Sequence, residues 1–400
     1  IAKTKEYGWL PGQHFQNVFG EGMVGDHLVP IVVDAYRKGF RGYEAEFIYE
    51  AMRIKALEFP KPPVSLNAAR SGLEYLHTLG YIPADRVTES VSKTLEFAYD
   101  DWCIAQMAKE LGKEEDYKLF MQRAGNYKNV WDKETQFMRP RLLDGSWLEA
   151  LNGREQKIAK YRDHSYYQYF DPLLVGRRPF RHYTESNAWQ YIWSVQHDVA
   201  GLISLFGKVE NFTGKLDTFF EMSPLITPPK YVGVVGTIGQ YVHGNQPSHH
   251  VAYLYNYAGQ PWKTQFRIRQ IMEQLYKPGS GGLCGNEDMG SLSSWYVFSA
   301  MGIYPVTPGT PIYTIGSPLF EKLTLKTEKN TTFTIIARNN SAENVYIQQA
   351  MFNGRTLNVP WISHEEIING GVLEFEMGAE PNKKWGIEAQ ASFFPADNKK

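Results

Sequence analysis

Two segments carry carboxylates among aromatics and glycines, Glu185 in one lying 103 residues before Asp288 in the other. The first is YTESNAWQY (183–191), in which Glu185 lies just ahead of a helix expected to start near Asn187. A carboxylate there can favour a helix N-terminus through its dipole or cap it, but Thr184 and Ser186 suit the cap better. Glu185 is thus left with no structural task it must perform, and both readings stay open. The second is GSGGLCGNEDMGSLSSWYVFSAMG (279–302), a glycine-rich loop bearing Asn286, Glu287 and Asp288 and leading into an apolar helix. One carboxylate suffices to cap that helix, and two are present. Two carboxylates from distant loops over one pocket are what glycoside hydrolysis needs. One donates a proton to the leaving oxygen, and the other activates water or attacks. Glu185 with Glu287 or Asp288 is the best pair. Asp26 in GMVGDHLVP is a further candidate, with Asp100 and Asp101 behind it. The bland reading of that last pair is a solvated or paired helix face.

A third segment, YVHGNQPSHHVAYLYNYAGQPWKTQ (241–265), gathers Asn245, Gln246, His249 and His250 ahead of a tyrosine stripe. Adjacent histidines point apart on a helix and are not the i, i+4 pair of a zinc helix. Contacts to a polyhydroxylated ligand, or satisfied buried histidines, fit better. The 279–290 loop lacks the Lys-Ser/Thr ending of a P-loop, and its anionic side chains repel phosphate. It also lacks the alternating oxygens of an EF-hand.

These segments need elements to position them. Up to about residue 305 the pattern is helical, with spans predicted at 27–38, 45–57, 89–111, 187–206, 249–257, 264–276 and 290–301. In 89–111, Val91, Leu95, Ala98, Trp102, Ala105 and Ala108 recur at spacings of three and four, one buried face of a long helix. Long loops rich in Gly, Pro and aromatics separate the helices, and loops of that length in a compact domain are usually functional. After Tyr304 the period changes to two, and strands are predicted at 322–327, 331–336, 344–349 and 372–377. The expected fold is therefore mostly α, with a helical domain over 1–305 and a β-rich module over 306–400.

Composition bounds the rest. The formal charge is −1 with both signs interspersed, which argues against a nucleic-acid binder. Hydrophobic residues at 43% exclude disorder as the main state. Two cysteines exclude a disulfide scaffold or a four-cysteine zinc site, and no apolar run reaches the roughly 18 residues of a membrane span. The 14% of aromatic residues suits either a large aromatic core or sugar-ring contacts. The chain opens with neither an initiator Met nor a signal peptide.

The segments GMVGDH, LEFAYDDWCIAQ, YTESNAWQY, GNQPSHHVAYLYNYAGQPWKTQ and GNEDMGSLSSWYVFSAMGIYPVTPG resemble the glycoside hydrolase family 92 α-mannosidases over nearly all of the first 310 residues. The resemblance implies a Ca2+-dependent exo-α-mannosidase acting with inversion, α-1,2 linkages being the first to consider, on an (α/α)6 barrel. It implies Glu185 as acid and Asp288 as base, with Glu287 assisting the base or facing the metal. It places Asn245, Gln246 and Asn286 near calcium, and Asp26, His27, Asn187, Trp189, His249, His250 and Trp295 among the substrate contacts. Partners are then mannose-containing glycans, and the substrate class suggests a secreted or periplasmic location.

Two departures accompany the resemblance. The helices number fewer than the twelve of a closed (α/α)6 ring, so an incomplete barrel is expected, partnered by the N-terminal part of the same enzyme. The helix at 27–38 should then expose apolar surface such as Leu28, Ile31 and Val32. Gln246 also stands where the family usually has Glu. A neutral amide there relieves repulsion of a phosphodiester, so release of mannose from a mannosyl-phosphate cap is the second enzymatic reading. A non-catalytic mannose-glycan-binding fragment is the reading from another class.

Overall fold

A computed structural model describes residues 1–11, 23–149, 156–161, 164–175, 181–227 and 233–387. The charged tail at 397–400, expected to fray, lies outside them, as do stretches of the three longest loops. The chain forms two compact units, residues 1–197 with 225–231, and residues 198–224 with 232–400.

The first unit is built on the helix Ser90–Glu110. The periodicity predicts one buried face, but burial runs almost all the way round. Asp100 and Asp101 are buried together with Val91, Leu95, Cys103 and Ala108, and Trp102 is only half-buried. A helix covered on all sides is a central one. The helices Leu28–Arg37, Ala45–Leu57 and Glu114–Ala124 pack with it through Val29, Val33, Tyr49, Met52, Ile104 and Phe120. Glu114–Ala124 escapes a hydrophobic-pattern reading because its apolar contribution is small, with Phe120 and Ala124 buried beside Arg123. Its first turn, Glu114, Glu115 and Asp116, suits a helix N-terminus. The Leu28–Arg37 helix does expose apolar surface. A cleft of about 440 Å3 is bordered by Ile1, Leu10, Leu28, Ile31, Val32 and Tyr43, and Ile31 is 56% exposed.

The helix predicted over 187–206 is two helices, Ala188–Tyr191 and Val199–Leu205. The second has its own cap, the Asp198 carboxylate accepting from Gly201 N at 2.8 Å. The apolar residues between them, Ile192, Trp193 and Val195, are fully buried in turns. The helix predicted over 249–257 is likewise broken, a 3-10 turn Val251–Tyr253 followed by the short helix Leu254–Tyr257, with another 3-10 turn, Gln246–Ser248, just ahead of it.

In the second unit, Val209–Glu221, Pro261–Leu275 and Ser291–Met301 are helices. The expected strands are present as Lys322–Lys326, Thr332–Arg338, Tyr346–Phe352 and Gly371–Gly378. Gly371–Gly378 is central, parallel to Thr332–Arg338 and antiparallel to Tyr346–Phe352. Alternate residues Phe333, Ile335 and Ala337 face Leu373, Phe375 and Met377 in the core, the period-two burial a one-sided sheet requires. Helix and sheet are joined by polar bonds: Ile347 N donates to Gln265 Oε1 at 3.0 Å, and Asn256 Nδ2 to Ile315 O at 2.7 Å.

Candidate functional site

In the first unit the central helix clamps the chain just ahead of Glu185. Glu89 N donates to Arg181 O at 2.7 Å, and Thr184 N donates to Ser92 Oγ at 2.8 Å. Arg181 is ion-paired with Glu89, and Tyr183 OH donates to Met138 O at 2.6 Å. On the other side Asn187, fully buried, caps the following helix by accepting from Gln190 N at 3.2 Å. The cap is therefore Asn187, not Thr184 or Ser186. Between the two clamps Glu185 is half-buried, with φ +54°. A left-handed non-glycine residue costs roughly 1–2 kcal/mol, and such residues persist where the surroundings over-determine them, often at functional sites.

Asp26 is only 4% exposed. Its two oxygens pair with Lys55 Nζ at 2.8 Å and Arg70 Nε at 2.6 Å. Arg70 continues to Asp101 at 2.6 Å, and Asp101 to Arg123 at 2.7 Å. Burial would raise the Asp26 carboxyl, but Lys55 and Arg70 outweigh it and hold it at about 2. Asp100 accepts from Asp26 N at 2.7 Å, and burial, with Asp26 beside it, pushes its carboxyl well above the usual range. The network fixes the turn that carries His27, which is exposed.

In the second unit two glycines let two motif loops cross. A Cβ added to Gly285 would lie 2.7 Å from Gly244 Cα, and one on Gly244 would lie 2.9 Å from Val235 O. The crossing brings Asn245 and Gln246 beside the loop carrying Asn286, Glu287 and Asp288. Gln246 Nε2 donates to Asp288 Oδ2 at 2.6 Å. Asp288 is exposed, with φ +46°, and Met289 follows at +61°. Glu287 instead serves the next helix, accepting from Ser293 N at 3.0 Å and Ser293 Oγ at 2.7 Å. Of the two adjacent carboxylates, one caps and the other is presented.

The glycosyl hydrolase family 92 catalytic domain matches residues 1–379. The chain belongs to this family. A family 92 inverting mannosidase of Bacteroides thetaiotaomicron is 38% identical with a TM-score of 0.82, over 98% of this chain and 51% of its own. A second family 92 α-mannosidase of that organism, in complex with mannoimidazole, is 37% identical with a TM-score of 0.79, over 92% of this chain and 45% of its own. A protein of Arthroderma benhamiae described as an uncharacterized secreted glycosidase is 31% identical over 96% of this chain and 48% of its own. The chain thus spans about half the length of these relatives.

Several other residues that the resemblance puts among the sugar contacts or near the metal of this family 92 chain are buried or half-buried. Trp295 is 1% exposed, and its indole N–H donates to His249 O at 2.9 Å. His249 is bonded through Nε2 to His243 O at 3.0 Å, and burial lowers its pKa to about 4, so the ring is neutral. His250 and Asn245 are buried, and Trp189 is half-buried edge-on to Phe137 at 5.1 Å. His243 was not anticipated. Tyr276 OH donates to Leu292 O at 2.9 Å, so it accepts from His243 Nε2–H at 2.6 Å. Nδ1 then accepts from Tyr241 OH at 2.7 Å. Burial and the neighbouring His249 push His243 well below the ordinary histidine range, which keeps this tautomer neutral. The chain of bonds ties the 241–250 loop to the start of the Ser291–Met301 helix. Its sequence signal was a histidine set among buried tyrosines.

Proposed function

We propose that the chain carries the acid and base of a calcium-assisted exo-α-mannosidase that inverts the anomeric centre, on an (α/α)6 barrel. Glu185 gives its proton to the leaving oxygen while Asp288 takes one from the attacking water. Gln246 orients Asp288 by its amide hydrogen bond. The observation that carries this reading is that both carboxylates are held at positive φ, in the two motifs the resemblance singled out. An N-glycan or mannan substrate fits a secreted or periplasmic location, and the description of the Arthroderma relative as secreted supports it. No helix among the described residues is long and apolar enough to cross a membrane.

Among the described residues no three His, Cys, Asp or Glu side chains gather as a metal cluster. The amide oxygens of Asn245, Gln246 and Asn286 are hard donors of the kind calcium prefers and would hold it. With Nε2 of Gln246 spent on Asp288, Oε1 is the atom left for the cation. Bound calcium would attract two sugar hydroxyls and favour ring distortion. Chelation should then abolish activity, and added calcium should restore it.

The direct test is hydrolysis of α-linked mannobiose by Glu185→Gln and Asp288→Asn variants. Each should lose turnover and keep the wild-type melting temperature. Near-normal turnover in either removes that residue from the reaction. A second reading, hydrolysis of mannosyl-phosphate, is favoured by the neutral Gln246 beside Asp288. Comparing kcat/KM on mannobiose and on mannose-1-phospho-6-mannose separates the two.

A further inference from the structure

The helix Ser90–Glu110 presents a row of polar groups at residues 89, 92, 96 and 100, which share one helical face. Three of them are used. Glu89 holds Arg181 and Thr184, Ser92 accepts from Thr184 N, and Asp100 accepts from Asp26 N. Glu96 differs. Among the described residues no hydrogen bond or ion pair reaches its carboxylate, although the side chain is half-buried.

The surroundings of Glu96 are built to admit it. Gly25 adopts φ +81°, and a Cβ there would lie 3.3 Å from Glu96 Oε2 and 3.4 Å from His27 Cε1. The glycine therefore lets the carboxylate and the imidazole flank one turn. Tyr191, buried beside this face, also feels the Glu96 charge. Ser92 lies one helical turn before Glu96 and holds the residue next to Glu185. Burial raises the Glu96 carboxyl above its usual range, with His27 opposing. A carboxylate kept partly from water without donors is unfavourable by itself, and a ligand bearing hydroxyls would supply the missing donors.

We propose that Glu96, with His27, forms a sugar-hydroxyl subsite of the first unit, the carboxylate accepting hydrogen bonds from a pyranose ring. This rests on the mannosidase reading and names a ligand contact on the side of the proposed acid. Two vicinal hydroxyls suit the two oxygens of a carboxylate.

The test is calorimetric titration of mannoimidazole into the 400-residue chain and its Glu96→Gln and His27→Ala variants, with thermal melting of each in parallel. Glu96→Gln should bind at least tenfold more weakly while melting at or above the wild-type temperature, because it removes an unpaired charge. His27→Ala should also weaken binding. Wild-type affinity in Glu96→Gln, or weaker binding accompanied by a lowered melting temperature, would make Glu96 a structural residue and overturn the subsite while leaving the mannosidase reading intact. Failure of the wild-type chain to bind mannoimidazole would overturn both.

Discussion

Gln246 donates its amide hydrogen to Oδ2 of Asp288 across a heavy-atom distance of 2.6 Å. The two residues come from separate motifs, and their meeting depends on the backbone crossing at Gly244 and Gly285. An amide can do what an ionised carboxylate at position 246 could not, because it donates to Asp288 without adding a second negative charge beside it. The bond restrains an exposed side chain and so sets where its second oxygen points.

Replacing that amide should show the restraint. Gln246→Leu removes one charge-assisted hydrogen bond, worth about 1.5–3 kcal/mol. The expected result is a loss of tenfold or more in kcat/KM on an α-mannoside, with the melting temperature within a degree or two of wild type. Unchanged kcat/KM would show that Asp288 needs no such partner.

The loop crossing itself has a steric test. In Gly285→Ala the new methyl would meet Gly244 Cα at 2.7 Å and its carbonyl oxygen at 3.1 Å, so one loop must move. A displacement of about 1 Å in a positioned group can cost on the order of a hundredfold in rate. Turnover should fall by about that factor. Full activity would mean that the crossing can relax without moving Asp288.

Asp100 and Asp101 are neighbours with opposite predicted sensitivities. Asp101 receives Arg70 and Arg123 in buried pairs, and Asp101→Asn should cost about 3–5 kcal/mol in urea unfolding. Burial and the neighbouring Asp26 push the Asp100 carboxyl well above its usual range, and Asn keeps an acceptor for Asp26 N–H, so Asp100→Asn should cost under about 1 kcal/mol. Equal losses would contradict this difference between the two carboxyls.

Asp26 gives a pH signature. Its folded pKa, about 2, lies below the roughly 3.9 of a free aspartate. A depressed carboxyl contributes stability that is present above the unfolded value and lost as pH falls through the folded one. The window is therefore about pH 4 down to about pH 2, and the contribution is roughly 2–3 kcal/mol. Urea unfolding across that window should show the slope in wild type and a shallower one in Asp26→Asn.

Much of this was legible in the residues, and the misses have physical causes. The period-two strands of the β-rich part were readable because one face is buried, so Phe333, Ile335 and Ala337 had to alternate. Helical periodicity misread 187–206, because Trp193 and Val195 are buried by turns rather than by a helix face, and apolar spacing cannot distinguish the two. The motif carboxylates stood out by type, but which of Glu287 and Asp288 would be spent on the helix was decided by Ser293, whose hydroxyl and amide both reach Glu287. Trp295 is among the substrate contacts that the resemblance implies, and it is buried in the structure. Its burial depends on His243 packing edge-on at 4.3 Å, a contact between residues 52 positions apart. The left-handed backbone at Glu185 and Asp288 left no compositional trace, since neither is the glycine or asparagine that usually marks it.

The central proposal is that Glu185 is the acid and Asp288 the base of the reaction. A crystal structure of the active enzyme with mannoimidazole bound tests it most directly, through the separation of the two carboxyl groups. The account predicts about 6.5–9.5 Å, with a water between Asp288 and the anomeric carbon. A separation near 5 Å would point to a covalent intermediate and retention, and carboxyls facing different cavities would contradict the assignment altogether.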